Sequence, residues 1–167
     1  MVVNYFSKLF SYSNPGDFNE ALRGVHKRVT VDMSRELEKE LTASEIKRAL
    51  DEIHPIKAPG SDGLHALFFK KFWDIIGEDV VLFVKRAWNE DINLRPINQT
   101  SIVVIPKVQN PKQISQFRPI SLCNVLYKIL SKTIAKRLKR FLPCLISEQQ
   151  SAFVPKTTYY RQCADSI

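Results

Sequence analysis

Residues 101–121 read SIVVIPKVQNPKQISQFRPIS, and the fold turns on how that stretch is taken. Ile102 to Ile105 are four β-branched residues in a row, closed by Pro106, which cannot donate to a ladder; the run predicts a short buried strand. Lys107 follows at once, at the strand end, where its ammonium can face a ligand. A polar loop containing Pro111 leads to Phe117-Arg118-Pro119-Ile120-Ser121, which sets the Arg118 guanidinium between an aromatic anchor and a proline of fixed φ. Two cations held at the edges of stiff elements suit a polyanion, either a triphosphate or a nucleic-acid backbone. A solvated lysine, with an arginine that caps a helix or pairs with a carboxylate, fits the same spacing.

Working outward, the cations gather on one side of the chain. Residues 1–94 carry 13 Lys and Arg against 15 Asp and Glu, a net of −2, whereas residues 95–167 carry 12 against 2, a net of +10. A block with Glu148 and Asp165 as its carboxylates makes a one-sided positive field of the kind that collects phosphates, so the expected partner is RNA or DNA bound without sequence preference. An anionic membrane surface is the rival, but no strongly amphipathic segment carries an exposed aromatic wedge, and the longest apolar run, Val80 to Val84, falls far short of a span. Met1 opens no basic-then-apolar leader. Cys123, Cys144 and Cys163 are odd in number and widely spaced, and His26, His54 and His65 form no ligand pattern with them. An intracellular location, nucleus or cytoplasm, and no bound cofactor are the expectations.

Helices are expected on both sides of the strand. Tyr5, Phe6, Leu9 and Phe10 suit one face of a short helix, broken from Ser11 onward by Asn14-Pro15-Gly16, and Phe18 to Arg35 shows no clean period. Thr42-x-x-Glu45 is a capping box, Ile46, Leu50 and Ile53 repeat at helical spacing, and Pro55 stops a helix over 42–54. Lys57-Ala58-Pro59-Gly60-Ser61-Asp62-Gly63 follows. Its glycines, Gly60 and Gly63, allow close backbone approach to a phosphodiester with Lys57 adding charge, or simply a helix-to-helix turn; it lacks the Gly-Lys-Ser/Thr ending of a P-loop. Residues 64–76 and 78–89 read as two helices joined at Gly77. The first shows an apolar face of Leu64, Leu67, Phe68, Phe72, Ile75 and Ile76, the second one of Val81, Val84 and Trp88. From Leu122 to Leu142 the three-four spacing predicts the longest helix. Lys128, Lys132, Lys136 and Arg140 step along one face, joined by Arg137 and Lys139 with no interleaved Glu, a stripe for phosphate contact or for solvent. Ser147-x-x-Gln150 resembles a further capping box.

The fold expected from these elements is α+β and mostly helical. A small sheet is built around Ile102–Ile105 with Val29–Val31 or Ala152–Val154 as candidate partners, and the long basic amphipathic helix packs on it.

Several of these motifs recur together in one known family. Lys57 to Gly63, Ile105-Pro106-Lys107, Phe117 to Val125, Tyr127-Lys128-Ile129, Ala135-x-Arg137-Leu138 and Gln149 to Pro155 stand in one order and spacing. That series resembles the amino-terminal part of the reverse transcriptase of plant non-LTR, LINE-type retrotransposons, over about Tyr5 to Pro155. The resemblance implies a partly ordered extension over 1–41, a fingers region over 42–155 and a divergent tail over 156–167. It implies that Lys107 and Arg118 face the incoming nucleotide's triphosphate and that the loop from Lys57 to Gly63 lies near the template. Beyond Val154-Pro155 the family continues with Gly-Arg and then the palm, where this chain has Lys156-Thr157-Thr158-Tyr159. The palm aspartates that hold Mg²⁺ in the full-length family have no counterpart, since Asp165 stands in no matching context, and the family's amino-terminal endonuclease is missing. The expectation is a truncated remnant that grips nucleic acid without polymerising, its surface open to a palm region. A basic scaffold that binds nucleic acid or protein is the alternative.

Overall fold

A computed structural model of the chain describes residues 2–11, 23, 28–89 and 92–146. Expectations that fall on the masked stretches, including the Ser147-x-x-Gln150 box and an Ala152–Val154 strand, lie outside the described residues. Those residues are mostly helical with one small antiparallel sheet, an α+β arrangement. The chain divides into two units, Met1–Lys27 with Ser101–Leu122, and Arg28–Thr100 with Cys123–Ile167. Each is taken by itself.

The first unit holds helix α1 (Val2–Leu9) and strands β1 (Ser101–Pro106) and β2 (Phe117–Leu122). The α1 aromatics cluster as its spacing predicts: Phe6 is buried, Tyr5 meets it edge-on at 5.2 Å between ring centres, and Phe10 stacks on it at 6.0 Å. The partner of β1 is β2, in the register Ser101↔Leu122 through Pro106↔Phe117. This corrects the expected pairing with Val29–Val31, since Val31 instead opens a helix. It also moves Leu122 from helix to strand. The strand is not buried either: Ile102, Val103 and Ile105 are 48%, 45% and 49% exposed. A two-stranded ribbon has no second layer over both faces, so a β-branched run does not by itself place a strand in a core.

The second unit is helical. Its elements are α2 (Val31–Glu38), α3 (Ala43–Asp51), α4 (Ala66–Lys71), α5 (Trp73–Trp88), α6 (Val125–Lys139) and the single turn α7 (Leu142–Leu145). α3 begins where the capping box places it: Glu45 N donates to Thr42 Oγ1 at 3.3 Å, and Thr42 N donates to Glu45 Oε2 at 2.9 Å. Thr42→Ala is expected to cost about 1 kcal/mol in urea unfolding, the usual worth of such a cap; no change in midpoint would remove the cap from the account. The apolar face of α6 packs on α3 and α5, with Ile46, Leu50, Val84, Val125 and Ile129 fully buried between them. The buried part of the long helix's apolar side, Val125, Ile129 and Leu130, is therefore set among helices, while Ile134 and Leu138 are exposed.

The helix break falls at Phe72, with φ −102° and ψ 20°, and not at Gly77. Gly77 sits inside α5 under Trp73, whose ring a Cβ would approach to 2.8 Å. Burying Val80 and Val84 along a continuous helix outweighs the ~1 kcal/mol a helical glycine costs. The break also resets the phase of the preceding face. Ala66 and Phe69 are the buried residues of α4, whereas Leu64, Leu67, Phe68, Phe72 and Ile75 are exposed, against expectation. Val84 is buried, and Val81 and Trp88 pack on the core as expected. Among the described residues no helix is long and apolar enough to cross a membrane.

Candidate nucleic-acid interface

The loop between α3 and α4 is tied down by its own backbone. Lys57 N donates to His54 O at 3.2 Å, Gly63 N to Gly60 O at 3.1 Å, and Leu64 N to Asp62 Oδ1 at 3.1 Å. Gly63 has φ 71°, a left-handed conformation that glycine adopts without strain. Gly60 serves a different need. A Cβ there would lie 2.0 Å from Asn124 Oδ1 and 2.4 Å from Asn124 N, so the loop backbone seats directly on the residue that opens α6. Gly60→Ala should therefore cost about 1–3 kcal/mol through overpacking, read by thermal unfolding. Unchanged stability would show that the loop swings clear. Lys128 Nζ completes the strap with a 2.8 Å bond to Ala58 O.

This strap brings two of the predicted stretches together. A cleft of about 500 Å³ opens between the end of α3, the loop and α6, and is lined by Glu52, Ile53, His54, Lys57, Lys128, Ser131, Lys132 and Ala135. Three ammonium groups share it with one carboxylate. Burial, and then the charge of Lys57, lower the Lys128 pKa from its usual value, as expected where like charges converge without full compensation.

The stripe itself is partly neutralised, contrary to the sequence expectation. Glu52 Oε2 lies 3.4 Å from Lys132 Nζ, and Glu52 also accepts from Lys136. Hydrogen bonds from Lys136 and then Lys132 pull the Glu52 carboxyl below its usual range. No interleaved Glu occurs on α6, but α3 supplies one. Arg137 departs further. Its side chain is 8% exposed and is paired with Glu45, itself 16% exposed, through Nε at 2.9 Å and Nη2 at 2.8 Å. It also donates to the carbonyls of Leu37, Lys39 and Glu40, and lies 5.8 Å from the Trp88 ring centre. A guanidinium so engaged ties the α2–α3 connection to α6 and does not present itself to solvent. Lys139 and Arg140 at the helix end are exposed. The residues that sequence reasoning missed are Glu52, His54 and Arg48 on α3 and its end, none of which carries a local signal pointing to α6.

Lys107 and Arg118 belong to the ribbon. Arg118 stands opposite Ile105, and alternation puts Lys107, Ile105, Val103 and Ile120 on that same face. Lys107 N donates to Gln116 O at 2.7 Å, extending the ladder, and its Nζ donates to Ser115 O at 2.8 Å. Two cations and three exposed β-branched side chains thus share one surface.

Among the described residues no group of three His, Cys, Asp or Glu converges, and Glu45 and Glu52, two carboxylates of the α3–α6 seam, are both held by cations.

Residues 105–166 match the family described as reverse transcriptase (RNA-dependent DNA polymerase). Over 124 residues the chain is 34% identical to a Xenopus laevis protein described as "Transposon TX1 uncharacterized 149 kDa protein", an alignment covering 74% of this chain and 10% of that relative. The chain thus spans about a tenth of the curated relative it matches. Residues 105–166 are thus similar to the reverse transcriptase family, and the chain is similar over 74% of its length to a protein described as belonging to a transposon.

Proposed function

We propose that these 167 residues are the nucleic-acid- and nucleotide-gripping fingers region of an RNA-directed DNA polymerase of the non-LTR retrotransposon type, and that they do not polymerise DNA by themselves. The observation that carries this reading is the α3–α6 cleft, where Lys57, Lys128 and Lys132 converge around a single carboxylate. Its ligand is the phosphate backbone of RNA or DNA, held without regard to sequence, in the nucleus or cytoplasm. The ribbon cations Lys107 and Arg118 serve the triphosphate of an incoming nucleotide. The carboxylates needed for two-metal phosphoryl transfer come from a palm region with which this part acts.

Binding of a short single-stranded RNA, followed by fluorescence anisotropy between 50 and 200 mM salt, tests the first half. Four phosphate contacts would lower affinity about fiftyfold over that range, from a slope of roughly −0.7 per contact. Absence of binding at the low-salt end would favour a protein-binding scaffold, a reading that the exposed Leu67, Phe68, Phe72 and Ile75 support. Primer extension by the purified chain, abolished by chelating divalent ions, would overturn the second half. Lys107→Ala and Arg118→Ala are expected to weaken nucleotide binding when a palm region is supplied in trans. Equal binding by the wild type and both variants there would refute the assigned role.

A further inference from the structure

Beyond the cleft, the same seam holds a second and much smaller recess. Glu45, Arg48, Thr133, Lys136, Arg137 and Arg140 enclose about 60 Å³ between α3 and the last turns of α6. That space accepts a few heavy atoms and excludes a nucleobase. Its floor is buried, formed by Thr133 and by Arg137 in its pair with Glu45, and its rim is the exposed Arg48 and Arg140. The charge balance decides what it can hold. Arg137 is matched by Glu45, and Lys136 by Glu52. Arg48 donates Nε to Ser44 O at 3.3 Å and has no carboxylate partner among the described residues, nor has Arg140. Two uncompensated guanidiniums thus flank a phosphate-sized recess, and each carries forked donors suited to tetrahedral oxyanions.

We propose that this recess is a binding site for one phosphoryl group carried as a monoester or free dianion, with Arg48 and Arg140 as its clamps and Lys136 as a shared third cation. The dianion matches the two unpaired charges, and the small volume favours an end group over the interior of a chain. The site is separate from the wide cleft and does not require the nucleic-acid reading to hold. A phosphate at a strand end and inorganic phosphate offer the same chemistry.

Inorganic phosphate is the probe, titrated into the full chain while the arginine Nε–Hε signals are followed by NMR. Saturable shifts confined to Arg48 and Arg140 are expected. Arg48→Gln or Arg140→Gln should weaken binding about tenfold or more, the loss of a charge-assisted pair of bonds, while Lys71→Gln on α4 leaves it unchanged. Circular dichroism establishes that the variants fold, and Arg48→Lys should retain part of the affinity through its charge. Shifts that fail to saturate, or that are equal in wild type and both glutamine variants, would overturn the site. A second arm compares RNA bearing a 5′-phosphate with the same RNA ending in hydroxyl. A preference for the phosphorylated strand that Arg48→Gln removes identifies the strand end as the source, and no preference identifies free phosphate. RNA affinity itself is scored in the salt titration, so loss of that reading with phosphate binding intact leaves this site standing.

Discussion

Arg137→Ala is expected to lower the unfolding free energy by about 3 kcal/mol at neutral pH, more than the loss of any other cation among the described residues. The guanidinium is nearly buried and makes bidentate contact with Glu45, which itself forms half of the α3 capping box. It also satisfies carbonyls at Leu37, Lys39 and Glu40, where α2 gives way to α3. Removing it takes the guanidinium partner from the Glu45 carboxylate and a donor from three carbonyl oxygens at once, and breaking a buried pair costs more than the pair contributes over an apolar replacement. The pH dependence carries its own signature. Arg137's hydrogen bond is the chief cause that lowers the Glu45 pKa from 4.5 to about 2, with burial opposing and Thr42 assisting. A carboxyl depressed in the folded state stabilises above its unfolded pKa and loses that contribution as pH falls through the folded one. The difference between wild type and Arg137→Ala should therefore be full above pH 4.5 and shrink as the pH falls toward 2. Urea unfolding at neutral pH and near pH 3 measures it. A difference below about 1 kcal/mol at neutral pH, the worth of an exposed pair, would contradict the assignment.

The same arginine shows where sequence reading reaches and where it stops. α3 was legible because its signals are local: Thr42 and Glu45 stand three apart, the apolar residues keep helical spacing, and Pro55 follows. The charge pattern on α6 was legible as a count and not as an arrangement. Arg137 and Lys136 look alike in a run of cations, yet one is buried against Glu45, 92 residues away, and the other meets Glu52, 84 residues away. Nothing within a helix turn of either announces those partners. The β1–β2 ribbon was hidden for a related reason. Pro119 interrupts the second strand opposite Val104, and the intervening loop needs the turn at Ile114–Gln116 to bring the ends together. The glycines of the loop suggest close approach to a phosphodiester or a plain turn, and what lies against Gly60 is Asn124. Glycine spacing says that something comes near, and only the fold says what.

Replacing Lys57, Lys128 and Lys132 together by Gln is expected to flatten the salt dependence of RNA binding, and this is the largest effect on ligand affinity that the cleft predicts. Each cation that neutralises a phosphate releases condensed counterions, which contributes roughly −0.7 to the slope of log K against log salt for a single strand. Loss of three should remove about 2 from the slope, and at low salt should weaken binding by two orders of magnitude or so. The three are not equivalent. Lys57 is exposed, whereas Lys128 already donates to Ala58 O and Lys132 already faces Glu52, so each of these must exchange a protein partner for a phosphate. The single change at Lys57 should accordingly reduce the slope by about 0.7 without altering stability, while Lys128→Gln should also loosen the loop from α6. Glu52→Gln supplies the opposite test, because freeing Lys132 and Lys136 from their shared carboxylate should strengthen RNA binding. If the triple variant keeps the wild-type slope, the phosphates lie elsewhere, and the ribbon face that bears Lys107 and Arg118 becomes the surface to change next. A wild-type slope near zero would instead show that the convergence of ammonium groups serves only to hold the loop on the helix.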